Sequence, residues 1–104
     1  MKDKPLTAFS RRQISLIHAK SRKYNLRRGE KHAVKLIELI KKHAGEIDDL
    51  RRKRDRHYVV ETGDLAVLCF ELIKEAKSCP DKILAQCYRR YHKKLDDFLG
   101  PARR

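Results

Sequence analysis

Apolar residues recur along this chain at helical spacing, and no stretch of useful length alternates in the manner of a strand. Ile14, Ile17, His18, Ser21 and Tyr24 form a thin, half-polar stripe behind Ser10 and Gln13, which have capping-box spacing. They predict a first helix over residues 10–25, broken at Asn25 to Gly29. A fuller stripe of Ala33, Leu36, Ile37, Ile40, Ala44, Ile47 and Leu50 predicts a second helix over 30–54. Leu65, Leu68, Cys69, Leu72, Ile73 and Ala76 predict a third over 57–77. It stops at Ser78-Cys79-Pro80, because proline disfavours helix in the preceding residue and suits the first turn of a new one. Leu84, Cys87, Tyr88, Tyr91, Leu95 and Phe98 mark a fourth helix over 80–99, ended by Gly100 and Pro101 and followed by a short basic tail over 100–104. The expected fold is all-α and four-helix bundle-like, in a single domain over residues 1–104.

Composition sharpens this picture. With 104 residues, 40% hydrophobic, 39% charged and no tryptophan, the chain can build only a modest core, and a second copy is expected to complete the bundle as a homodimer. No apolar run approaches the roughly 18 residues of a membrane span, and no apolar signal-peptide core follows Met1. Cys69, Cys79 and Cys87 have no metal-knuckle spacing and read as small apolar packing residues in a reducing cytoplasm. The net charge is +13, spread unevenly: residues 1–30 carry +7, 31–56 +4, 57–80 −2 and 81–104 +4. A surface this basic attracts polyanions, so nucleotides, nucleic acid or acidic headgroups are the generic partners. The acidic segment is the exception.

Within that segment, at about 100° per residue, Glu61 falls inside the apolar arc of Leu65, Leu68 and Leu72, and Asp64 lies one turn on at its edge. A carboxylate on a packed face requires a cationic partner. On the second helix Glu46 shares a row with Leu39, His43 and Leu50, so adjacent helices can bring Glu46, Glu61 and Asp64 together beside His43. Two readings follow. The carboxylates pair with Lys or Arg from a neighbouring helix, or they surround a divalent cation, for which hard oxygen donors suit Mg²⁺.

Gly45-Glu46-Ile47, an intervening segment rich in Asp, Arg and Lys, and then Glu61-Thr62-Gly63-Asp64-Leu65 together resemble the MazG-like all-α nucleoside triphosphate pyrophosphohydrolases. Those proteins carry E-E-x-G-E-L on one helix and E-E-x-G-D on the next. The resemblance covers about residues 33–95. It implies cleavage between the α and β phosphates, releasing pyrophosphate and a nucleoside monophosphate. Glu46, Glu61 and Asp64 would hold Mg²⁺, or Mn²⁺ in its place, with His43 as an outer or substitute ligand and Glu61 as the catalytic carboxylate. Phosphates would meet Arg52, Lys53 and Arg54 from the connection and Arg89, Arg90 and Lys93 from the last helix, where Gln86 completes the polar set. Tyr88 and Tyr91 are either base-stacking or core residues. The chain departs from the family pattern in two places: His43 stands where the first acidic pair has its first Glu, and Val60 where many members have another Glu. Pairing Glu46 with Asp49 would restore two carboxylates, but the helical wheel puts Asp49 on the solvent face.

The alternatives are a catalytically degenerate bundle of the same kind, or a small basic helical protein that binds nucleic acid. The latter would use Arg11, Arg12, Lys20, Arg22 and Lys23 with the clusters at Arg27-Arg28 and Arg51 to Arg56.

Overall fold

The computed structural model describes residues 11–100, which form four helices: α1 (Arg11–Arg27), α2 (His32–Arg52), α3 (Tyr58–Glu75) and α4 (Pro80–Leu99). The fold is all-α and bundle-like. Ser10, expected to cap α1, and the tail beyond Gly100 lie outside the described residues. α3 is the central element, packed chiefly on α2 with α1 against it as well, while α4 has close backbone neighbours only in α3.

Three of the connections share one chemistry. α1, α2 and α3 each end in a Schellman-type cap, in which a residue with positive φ turns the chain so that two late carbonyls are satisfied. After α1 that residue is Gly29 (φ 76°), with Glu30 N–H donating to the Asn25 carbonyl at 3.0 Å. After α2 it is Arg54 (φ 59°), with Asp55 N–H on the Leu50 carbonyl at 2.9 Å, and after α3 it is Lys77 (φ 62°), with Ser78 N–H on the Ile73 carbonyl at 3.2 Å. Both basic residues adopt a conformation that suits glycine better. Asp55 then opens the way to α3 by accepting the His57 N–H at 2.9 Å.

α1 runs past the expected break at Asn25 because Asn25 is not a turn residue. Its buried side chain lies 2.9 Å from His32 Nδ1, across the turn. The inward row of α1 is therefore Ile14, His18, Ser21 and Asn25, and Tyr24 is turned outward with Arg28 stacked on its ring. The packed face of α2 keeps most of the expected stripe and widens toward its polar side: His32 and Leu36 are buried and Ala33, Leu39, Ile40, His43, Glu46, Ile47 and Leu50 half-buried, while Ile37 and Ala44 face outward. In α3, Phe70 and Glu71 are the most enclosed residues, and Cys69 is exposed. Cys87 is exposed too, and Cys79 is half-buried where α4 starts, with the Lys82 backbone N–H drawing its thiol below the ordinary range. Packing is thus not the common role of the cysteines.

Among the described residues the buried apolar side chains are Ile14, Leu36 and Phe70, and the buried polar ones are Asn25, His32 and Glu71. At about 1.5–3 kcal/mol per fully buried large apolar side chain, so small an apolar set leaves polar satisfaction as decisive as hydrophobic burial. Among the described residues, little covers the expected core face of α4. Tyr88 is 68% exposed and Phe98 76%, with Leu84, Tyr91 and Leu95 also exposed.

The Lys77 cap yields a prediction. Lys77→Gly relieves a left-handed L-residue and should raise stability by roughly 0.5–1 kcal/mol, read as a higher urea midpoint at unchanged slope. A lower midpoint would contradict the cap assignment.

Candidate metal and phosphate site

The site follows from the α2–α3 hairpin. Glu46 and Glu61, and likewise His43 and Asp64, are equally far in sequence from the Lys53–Arg54 step where the chain leaves α2, and across the hairpin Glu46 comes close to Glu61 and His43 to Asp64. Each helix contributes residues separated by three positions, which share a face.

His43, Glu46 and Glu61 come together: one donor atom of each lies within 4.8 Å of the other two. His43 Nε2 is 3.4 Å from Glu61 Oε1 and 4.0 Å from Asp64 Oδ2. The other ring nitrogen, Nδ1, donates to the Leu39 carbonyl at 2.9 Å. That bond orients the ring, and in the neutral imidazole it leaves the Nε2 lone pair facing the carboxylates, as in histidines that ligate metals. Glu61 is enclosed, its side chain 17% exposed, with His57 Nε2 3.5 Å from Oε2. Its Oε1 is buried and makes no hydrogen bond, because His43 stands in ion-pair range without hydrogen-bond alignment. Asp64 is more open, at 56%.

Among the described residues neither Glu46, Glu61 nor Asp64 forms an ion pair with Lys or Arg. Of the two readings of the acidic face, arginine or lysine neutralisation is the one that the geometry does not provide. A mixed set of carboxylate oxygens and one imidazole fits a divalent cation, and Glu61 Oε1 is an oxygen with capacity to spare. Asp49 borders the same depression as Glu46, Leu50 and Glu61, but it is exposed and its Oδ1 accepts from Arg52 at 3.0 Å.

The phosphate candidates are dispersed. Arg52 is engaged by Asp48 at 3.2 Å and by Asp49. Lys53 and Arg54 are exposed on the turn, with no ion pair among the described residues. Gln86, Arg89, Arg90 and Lys93 are exposed on α4, which has no close backbone neighbour in α2, and Lys93 pairs with Asp97 at 3.3 Å. Within one chain, therefore, the α4 set is not brought to the acidic cluster.

Sequence reasoning missed a second polar cluster, where α1, α2 and α3 meet. The Ser21 hydroxyl donates to Glu71, His18 Nε2 lies 2.8 Å from Glu75 Oε1, and Arg22 stands 3.4 Å from the same oxygen. The signal available was position: His18, Ser21 and Asn25 share the row of Ile14, and Glu71 and Glu75 are i and i+4. Burial pushes His32 below its ordinary value of 6.5. Burial alone would raise Glu75, but the His18 hydrogen bond and nearby cationic groups outweigh it and leave the carboxyl below its ordinary 4.5. No helix of the described residues is long and apolar enough to cross a membrane. Set against known proteins, the chain matches no family model, no curated protein and no solved structure.

Both shifts act in one direction. A lowered histidine makes the folded state resist protonation, so stability is full above about 6.5 and declines as acid protonates the unfolded chain first. A lowered carboxyl contributes stability that is present above 4.5 and lost as pH falls through its folded value. The groups facing His32 are His18, Arg22 and Asn25 from α1 and Glu71 and Glu75 from α3. With chelator present, the urea midpoint should fall steadily from pH 7 to pH 4. A midpoint that rises on acidification would overturn this account.

Proposed function

We propose that this chain is a MazG-like, metal-dependent nucleoside triphosphate pyrophosphohydrolase that works as a homodimer in the cytoplasm. The observation that carries this reading is the convergence of Glu46 and Glu61 with His43 at the hairpin, without an arginine or lysine and with one Glu61 oxygen buried and unbonded.

In this reading Glu46, Glu61 and Asp64, with His43, hold the ion. When bound, a divalent cation supplies neutralisation of phosphate charge and acidification of water. Glu61, whose side chain is 17% exposed, takes a proton from the attacking water. The water oxygen bonds to the α phosphorus, the bond from that phosphorus to the bridging oxygen breaks, and pyrophosphate leaves. Lys53 and Arg54 meet phosphate oxygens from the turn. Gln86, Arg89, Arg90 and Lys93 reach the cluster only across a dimer, since α4 does not approach α2 within one chain. Two helical glycines support a close approach to this face. Gly45 and Gly63, adjoining Glu46 and Asp64, have nothing within 4 Å of an added Cβ, so packing within the chain does not demand them, although each weakens its helix by about 1 kcal/mol relative to Ala. The second copy is the occupant assigned to the apolar face of α4, because the core of one chain is thin and Leu84, Tyr88, Tyr91, Leu95, Phe98 and Leu99 are all exposed on this one helix.

Incubated with a panel of nucleoside triphosphates, the protein should release pyrophosphate, and Glu61→Gln should slow release by roughly 10²–10⁴-fold. The imidazole makes the donor set softer than an all-carboxylate one, so Mn²⁺ should support more activity than Mg²⁺, and His43→Glu should shift the preference back toward Mg²⁺. No release with either ion from any triphosphate would end the enzymatic reading. By sedimentation the chain should be a dimer that Leu95→Glu dissociates, and a wild-type monomer at high concentration would remove the dimer.

A second reading rests on the net charge of +13. As a nucleic-acid binder the chain should hold RNA or duplex DNA with an affinity that falls steeply with salt, and a flat dependence would exclude that role.

A further inference from the structure

Away from the acidic hairpin, α1, α2 and α3 each send one metal-competent side chain to a common point: His18, His32 and Glu75. One donor atom of each lies within 4.8 Å of the other two. The two imidazole rings are 5.3 Å apart at their centroids and tilted by 59°. His32 is 3% exposed, and its Nε2 is buried without a hydrogen-bond partner, a costly arrangement for a polar atom. From this geometry we infer that His18, His32 and Glu75 form a transition-metal site of the Zn²⁺ class that ties the three helices together.

The chemistry of the donors selects the ion. Two imidazoles and one carboxylate form a mixed nitrogen and oxygen set that zinc accepts with a fourth position left for water, whereas Mg²⁺ prefers oxygen alone. Ligand bonds of about 2.0–2.1 Å in a tetrahedron place donors about 3.3 Å apart. His18 Nε2 and Glu75 Oε1 are already at 2.8 Å, so loading requires a small separation there and a small approach by His32. Asn25 stands where the second contact to a ligating histidine belongs, 2.9 Å from His32 Nδ1. A half-turn of its amide presents Oδ1 to an Nδ1–H. The hydrogen of the neutral ring then sits on Nδ1 and the Nε2 lone pair is free. The same transfer on His18 frees Nε2 there, with no net proton change. Glu71, buried one turn before Glu75, adds a second negative charge to balance the dication. His18 also lines two depressions open to the surface, one beside Phe70 and Lys74 and one beside Arg22.

The test uses full-length protein stripped with chelator, in a His43→Gln background that disables the hairpin cluster. Zn²⁺ alone should bind at one equivalent and raise the melting temperature. Co²⁺ should give the visible absorption of a four-coordinate site, and millimolar Mg²⁺ should not displace either. Adding His18→Gln or Glu75→Gln, both at partly exposed positions, should weaken Zn²⁺ by at least about tenfold and abolish the Co²⁺ band. Circular dichroism without metal checks that each variant is folded, and Glu75→Asp, which keeps a carboxylate, should bind more tightly than Glu75→Gln. Absence of Zn²⁺ binding in the His43→Gln protein, or unchanged affinity in folded His18→Gln and Glu75→Gln variants, would overturn the assignment. The outcome is independent of pyrophosphohydrolase activity.

Discussion

A carboxylate removed from water must find compensation, and α3 takes three of them out of water at once. Glu61 near its start and Glu71 and Glu75 near its end are all enclosed, on a helix packed against both α1 and α2. Desolvation makes each unstable unless a neighbour donates or carries positive charge. For Glu71 the donor is Ser21 and for Glu75 it is His18, whereas Glu61 has two histidines, His43 and His57, at ion-pair distance and no hydrogen bond to its Oε1. Arg22 beside Glu75 is the one guanidinium among them. In a chain with 27 lysines and arginines, histidine stands at two of these three enclosed carboxylates, Glu61 and Glu75. Lysine and arginine remain mostly on the surface, where their hydration is kept.

This arrangement divides the molecule by chemistry along α3. At one end Glu61 is enclosed beside the open Asp64, near a turn with exposed basic residues. At the other Glu71 is buried and Glu75 partly exposed, among side chains from three helices. The thin apolar core explains why the second end matters, since Ile14, Leu36 and Phe70 alone offer few contacts across the three helices that share it.

The four helices were legible because 3.6-residue periodicity, Pro80 and the two flanking glycines agree, and the acidic face was legible because Glu61 interrupts an apolar arc. What was hidden depended on tertiary context. Asn25 reads as a helix breaker, yet its amide is occupied by His32, and a partner seven residues away is not visible in a local pattern. Most of the expected α2 stripe is packed, but Ile37 and Ala44 face outward while His43 and Glu46 are half-buried, and hydrophobicity alone does not predict that exchange. His18 and Ser21 stood on the expected stripe of α1, yet their partners Glu71 and Glu75 read as surface carboxylates until α3 is seen against α1. The uncovered face of α4 was recognisable as apolar, but no property of the stripe itself distinguishes a neighbour in the same chain from one in another.

The spacing of the enclosed carboxylates along α3 constrains how this chain can vary. One residue inserted into α3 between Glu61 and Phe70 would turn Glu61 by about 100° and slide it by about 1.5 Å relative to the packed Phe70 and Glu71. The helix would survive, yet Glu61 would swing away from Glu46 and His43. Both clusters hang on one helix, so the count of residues between them ties the phase of one to the phase of the other.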